Sequence, residues 1–134
     1  QLVRAMHRAG VKFLAGTDTE SLDVFPGISL HDELALLVEA GLTPMEALQA
    51  ATSNPAQCLG RHDLGTVEKG KLADLVLLDA NPLEDIHNTK RIRAVVFGGR
   101  LLEQTELQAR LKEVAWAAAH REPTPPPGAY IKYP

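Results

Sequence analysis

The sequence predicts a mixed α/β fold, and three observations carry that prediction. Apolar residues at helical spacing over positions 2–9 run through Gly10 directly into an apolar segment at 11–17, the helix-to-strand joint of a β/α unit. Thr43-Pro44-Met45-Glu46 opens a further helix with a cap, a proline and an acid in the order a helix start requires. Beyond residue 60 the pattern changes to short apolar runs separated by turn signals, which is strand chemistry. With 134 residues, 45% of them apolar, one compact core is within reach.

Element by element, Leu2, Val3, Met6 and Ala9 mark one helix face, and Gly10 is placed to end that helix. A strand over 11–17 stops on Asp18. An irregular stretch over 19–28 holds the turn-forming Pro26-Gly27. Ser29 is the expected cap of the next helix, with His31, Asp32 and Glu33 in a first turn whose dipole favours acids. Leu34, Leu37 and Val38 form its inner face and Gly41 its end. The helix opened by Thr43 runs toward Ser53, and Asn54-Pro55 starts a short one ending at Gly60. Strands are expected near 65–67, 72–79, 92–97 and 100–102, the last two joined through Gly98-Gly99. Thr105 and Gln108 suggest a capping box for a final helix carrying Leu107, Leu111, Val114 and Ala118 on one stripe. Pro123-Thr124-Pro125-Pro126-Pro127-Gly128 cannot continue that helix and reads as extended chain.

Charge and composition exclude several functions. A net charge of −3 and a pI near 5.9 argue against a nucleic-acid or polybasic membrane surface. No apolar stretch approaches the roughly 20 residues that span a bilayer. The first residues resemble mid-helix more than a targeting segment, so a cytoplasmic location is the default expectation. Cys58 is the single cysteine, which rules out an intrachain disulfide, and its apolar setting suggests a small buried thiol.

Asp18 is the leading candidate for chemistry, an acid at the abrupt end of an apolar segment. Such a residue ligates a metal or moves a proton when it has partners; without them its commoner role is to cap a turn. His31 either contacts a substrate or makes an ordinary first-turn hydrogen bond to backbone or solvent. His7, His62, His87 and His120 are too widely spaced for a ligand pair and read as surface residues. Asp74 and Asp79 stand five apart on a strand, hence on opposite faces, and cannot share a site. Lys90, Arg91 and Arg93 read as a solvated strand edge, and no cofactor-binding loop is present.

Several segments together resemble a known family. They are Gly16-Thr17-Asp18, Leu42-Thr43-Pro44-Met45-Glu46-Ala47-Leu48, Ala51-Thr52-Ser53-Asn54-Pro55-Ala56 and, most specific, Gly65-Thr66-Val67-Glu68-Lys69-Gly70-Lys71-Leu72-Ala73-Asp74-Leu75-Val76-Leu77-Leu78-Asp79 with Asn81-Pro82. In order and separation they resemble the C-terminal third of the amidohydrolase superfamily over about residues 1–104. Ser29-Leu30-His31-Asp32-Glu33-Leu34 is most similar to the imidazolonepropionase and prolidase-like branch.

The resemblance implies the last β/α part of a (β/α)8 TIM-like barrel plus the C-terminal strands of a small β-sandwich. Residues 1–62 would be the barrel end, with its eighth strand at 11–18; residues 63–104 would be sandwich strands and 105–134 a helix and Pro-rich tail. It implies hydrolysis of a C–N bond in an amide, cyclic amide or peptide-like small molecule. Asp18 would be metal ligand and general base, and His31 a substrate contact. The metal would be Zn2+ or another divalent ion, whose remaining ligands, a His-x-His pair among them, belong to strands this sequence lacks. The chain alone is therefore expected to bind no metal and to be inactive, with the rest of the barrel or further copies of itself as partners. A deaminase of the same superfamily, and a non-catalytic self-assembling module with strand edges covered by other copies, are the alternatives.

Overall fold

The computed structural model describes residues 1–19 and 24–120. Contacts divide the chain into two compact units, Gln1–Glu103 and Gln104–Pro134.

In the first unit the helices form where local signals put them. Helix α1 (Leu2–Arg8) ends as expected on Gly10: the Gly10 N–H donates to the His7 carbonyl (2.9 Å) and the Val11 N–H to that of Met6 (3.1 Å). This pair of backward bonds satisfies carbonyls that a helix end would otherwise leave open. The same pair closes α2 (Ile28–Glu39) at Gly41 and α4 (Ser53–Cys58) at Gly60. Helix α3 (Pro44–Ala51) starts with the full capping box. The Glu46 N–H donates to Thr43 Oγ1 (3.2 Å) while Glu46 Oε2 accepts from the Thr43 N–H (2.7 Å).

Two local expectations change. Ser29 is not the cap of α2: Gly27 takes that place, two residues earlier, because the Pro26-Gly27 turn already delivers the helical direction. Ser29 instead sits in the first turn and its Oγ accepts from the Phe25 N–H at 2.8 Å. Cys58 is exposed, not buried, because it falls in the last turn of α4 rather than on the inner face that carries Ala56.

Residues 11–17 are extended but form no strand, since a strand is defined by a ladder and no described strand lies beside them. The segment is stitched to helices instead. The Ala15 N–H donates to the Ala50 carbonyl (2.8 Å), the Gly16 N–H to Glu33 Oε1 (2.8 Å) and Asn54 Nδ2 to the Phe13 carbonyl (3.1 Å). Burial alternates with the period of an extended chain: Phe13, Ala15 and Thr17 are half-buried, whereas Lys12, Leu14, Gly16 and Asp18 are exposed.

A three-stranded antiparallel sheet of order β1-β2-β3 follows: β1 (Leu75–Leu78), β2 (Ile92–Phe97) and β3 (Arg100–Glu103). Leu75 pairs with Val96 and Leu77 with Ala94, a bulge falls between Leu77 and Leu78, and Phe97 pairs with Arg100 across the expected Gly98-Gly99 turn. Residues 65–67 are not a strand. They belong to an irregular loop in which Lys71 Nζ bonds Thr66 Oγ1 and Glu68 Oε1. The strand expected over 72–79 is shorter because Asp74 leaves the ladder: its Oδ1 accepts the Gly98 N–H at 2.7 Å and braces the hairpin turn.

The core of this unit gathers Leu34 of α2, Ala47 of α3 and Ile86, with Leu37, Val38, Leu48 and Ala51 packed around them. Ile86 begins a 3₁₀ turn, Ile86–Lys90, which carries the chain from β1 to β2 and rests against α2.

The second unit contributes α5 (Gln104–Ala119), which begins one residue before Thr105. Within it Trp116 stacks on His120 with ring centroids 4.5 Å apart. The Pro-rich stretch at 123–128 lies outside the described residues.

Candidate functional site

Asp18 ends the extended segment, exposed, on the same face as Leu14 and Gly16. Its φ of +50° makes it the only non-glycine residue in the left-handed region among the described residues. That conformation costs an L-residue of order 1 kcal/mol, least for Asp and Asn, and such strain collects at functional positions. Two residues earlier the Gly16 N–H is held by Glu33 Oε1, so the carboxylate-bearing end of the segment is tied to α2. Among the described residues the buried Glu33 Oε2 atom has no hydrogen-bond partner.

His31 lies on the opposite tie of the same helix. Its Nδ1 is 3.1 Å from Oγ1 of buried Thr89, and that hydroxyl donates its proton to the Ile86 carbonyl at 2.8 Å. With the Thr89 proton already used, Nδ1–H must be the donor to Oγ1, leaving a lone pair on Nε2. Burial first, and the Lys90 ammonium second, hold the His31 pKa below its ordinary value, while Asp32 opposes them. The imidazole is therefore neutral near pH 7. Lys90 reaches across to Asp32 Oδ1 at 2.7 Å, a second bond from the 3₁₀ turn to α2. Both candidate residues are thus referred to the N-terminal half of α2, but no hydrogen bond or ion pair joins Asp18 to His31 directly.

Glu33 carries no local sign of being a partner of Gly16, because the two are 17 positions apart and meet only in the fold. The other histidines behave as structural or surface groups. His7 Nε2 meets Glu46 Oε1 at 3.0 Å, linking α1 to α3; His87 Nδ1 meets Asp85 Oδ1 at 2.8 Å; His120 Nδ1 donates to the Trp116 carbonyl. Asp74 and Asp79 are separately engaged, with the Gly98 N–H and with Arg93 Nη1 at 3.9 Å. A cleft of about 230 Å3 opens where the extended segment begins, beside His7, Lys12, Phe13, Glu46 and Asn54. Five residues of extended chain, about 17 Å, separate it from Asp18.

A catalytic divalent ion takes about three protein donors. Among the described residues no group of three His, Cys, Asp or Glu side chains is placed to hold one. Asp18 offers a single exposed carboxylate, so the donors present here do not by themselves fit a metal.

Three comparisons place the chain among known proteins. The profile described as Amidohydrolase family matches residues 1–102. The chain is 46% identical over 86 residues to adenine deaminase 2 of Agrobacterium fabrum (strain C58 / ATCC 33970), covering 60% of this chain and 14% of that protein. It is 37% identical over 121 residues to imidazolonepropionase of Shouchella clausii (strain KSM-K16), covering 78% and 26% respectively. The crystal structure of a Xaa-Pro dipeptidase superposes with a TM-score of 0.68 at 37% identity, covering 76% of this chain and 25% of that one. The chain thus spans about a quarter or less of the length of each of these three proteins. Members of this family are metal-dependent hydrolytic enzymes built on a TIM barrel, and the described residues contribute helices and a small antiparallel sheet. With the profile matched over three quarters of its length, the chain belongs to the amidohydrolase family.

Proposed function

We propose that this chain is the C-terminal part of a metal-dependent amidohydrolase that cleaves a C–N bond in a small amide, cyclic amide or peptide-like substrate, with Asp18 as its general base. The observation that carries the reading is the alternation along residues 12–18. One face of the segment, Phe13, Ala15 and Thr17, is half-buried, and the other, Leu14, Gly16 and Asp18, is exposed. An eighth barrel strand needs such a division between an outer face under helices and an inner face toward the other strands. Catalytic groups of TIM barrels stand at the C-terminal ends of strands, and as the end of an eighth strand Asp18 would hold that place. In the same reading, residues 63–104 supply strands of a small β-sandwich.

In this role Asp18 takes a proton from water as the water oxygen bonds to the substrate carbon. It returns that proton to the nitrogen as the C–N bond breaks, so the leaving group departs as a neutral amine. A divalent ion, zinc in this reading, would count Asp18 as one ligand and draw its other donors from outside this chain. His31, neutral and with Nε2 free to accept, would hydrogen-bond an N–H or O–H of the substrate. The 46% identity to a protein named adenine deaminase 2 favours, as a second reading, hydrolytic deamination, in which the leaving nitrogen departs as ammonia.

The test uses the full-length protein against amides, dipeptides and aminopurines. Asp18→Asn is expected to lower kcat by about 10²–10⁴-fold, the usual worth of a positioned general base. His31→Gln, in the same assay, is expected to raise KM more than it lowers kcat. Wild-type turnover by Asp18→Asn would sink the assignment, and an unchanged KM for His31→Gln would remove the substrate contact. Aminopurine turnover without amide turnover would select the deaminase.

A further inference from the structure

We infer that Glu33 is the positioning residue for Asp18, an inference that rests on the catalytic reading of Asp18 given above. Two independent observations carry it. Glu33 Oε1 accepts the Gly16 N–H at 2.8 Å, so a charged acceptor on α2 fixes the backbone two residues before the carboxylate. The other oxygen, Oε2, is buried and has no partner among the described residues. A buried carboxylate oxygen with no donor costs stability, so a neutral side chain of the same length would serve the fold better here.

The geometry gives the contact a purpose. Asp18 is exposed and sits in the left-handed region, where it depends on the chain before it for its orientation. Backbone bonds to helices along this segment are the Ala15 N–H to Ala50 and the Asn54 amide to Phe13, both farther from the acid. Gly16 is the nearest of these anchoring points, and its N–H can be held from only one side. An extended segment anchored at residue 15 but free at residue 16 would let the carboxylate swing, and displacement of about 1 Å is enough to cost a reacting geometry 10²-fold. Glu33 therefore acts through Gly16 and not on substrate.

The test compares Glu33→Met, which keeps length and removes the acceptors, with Glu33→Gln, which keeps one acceptor oxygen, both in the full-length protein. Glu33→Ala stands in if the thioether does not fit. Amide hydrogen exchange at Gly16 is expected to quicken at least tenfold in Glu33→Met and to stay within about threefold of wild type in Glu33→Gln, from the worth of a hydrogen bond to a charged group. Turnover should follow the same pattern: kcat at least tenfold lower in Glu33→Met with KM within about threefold, and recovered in Glu33→Gln. Unchanged Gly16 exchange in Glu33→Met overturns the inference. So does faster exchange with unaltered kcat, which would make the contact merely structural. Asp18→Asn with full turnover removes the catalytic reading itself, and it is distinguishable because Gly16 exchange still reports whether Glu33 holds the segment.

Discussion

Glu46 shows how one carboxylate can serve three contacts. It closes the Thr43 capping box and also receives His7 from α1. The backbone N–H of Thr43 first, then His7, then the Thr43 hydroxyl, hold its pKa down at about 2 from an ordinary 4.5. A carboxyl depressed by folding adds stability that is fully present above its unfolded pKa and is lost as pH falls through the folded one. The α1–α3 junction should therefore persist through pH 4.5 and loosen only on approach to about 2, read from the Thr43 and Glu46 amide resonances. Loosening centred near pH 4.5 would show that the box does not hold the charge. Thr43→Ala should cost about 1 kcal/mol at neutral pH, the typical worth of an N-cap.

At the level of elements, what the sequence revealed depended on how far each signal had to reach. Gly10, Gly41 and Gly60 each end a helix through bonds to residues at most five positions back, and Gly98-Gly99 turns a hairpin between adjacent strands, so these were legible. The family was legible for a related reason, since its motifs are local words in a fixed order. Residues 11–17 have the apolar content of a strand, but a ladder needs a neighbour, and composition cannot say whether one is beside it. Asp74 lies in a strand by its sequence neighbours and instead braces the turn at Gly98, 24 positions away. Glu33 is by sequence a dipole-favoured acid, and its bond to Gly16 appears only once α2 folds back over the segment.

Gly65 tests packing at this same scale. A Cβ built there would lie 2.7 Å from the Ala56 Cβ and 3.0 Å from the Thr52 carbonyl oxygen, so the loop after α4 presses against the start of that helix. Gly70 has nearly the same φ, +91° against +90°, but open space around it. Gly65→Ala should therefore destabilise by about 1–3 kcal/mol more than Gly70→Ala, the overpacking cost without the shared backbone cost. Equal losses in denaturant unfolding would mean that the contact with Ala56 relaxes freely.

For the molecule as a whole, the decisive fact is how little of the first unit is buried. Among the described residues its buried apolar side chains are Leu34, Leu42, Ala47, Ala50, Ala56, Ile86 and Ala94, and four of these seven are alanines with little area to remove from water. Leu2, Ile28, Leu36, Val67 and Phe97, each more than 60% exposed, could each add about 1.5–3 kcal/mol if covered. A domain typically retains only about 5–15 kcal/mol of net stability, so that uncovered surface is comparable with everything holding a fold together. If these faces belong under the remainder of a barrel, the 134-residue chain studied alone should melt broadly and bind a hydrophobic dye such as ANS. The full-length protein should melt cooperatively and exclude the dye. Dye binding by the isolated chain that falls as the preceding part of the protein is added in trans would identify the covering surface as intramolecular in origin. A sharp two-state transition above about 50 °C for a monomeric, dye-free chain would instead show a self-sufficient module, because ordinary domains of that independence melt in this range.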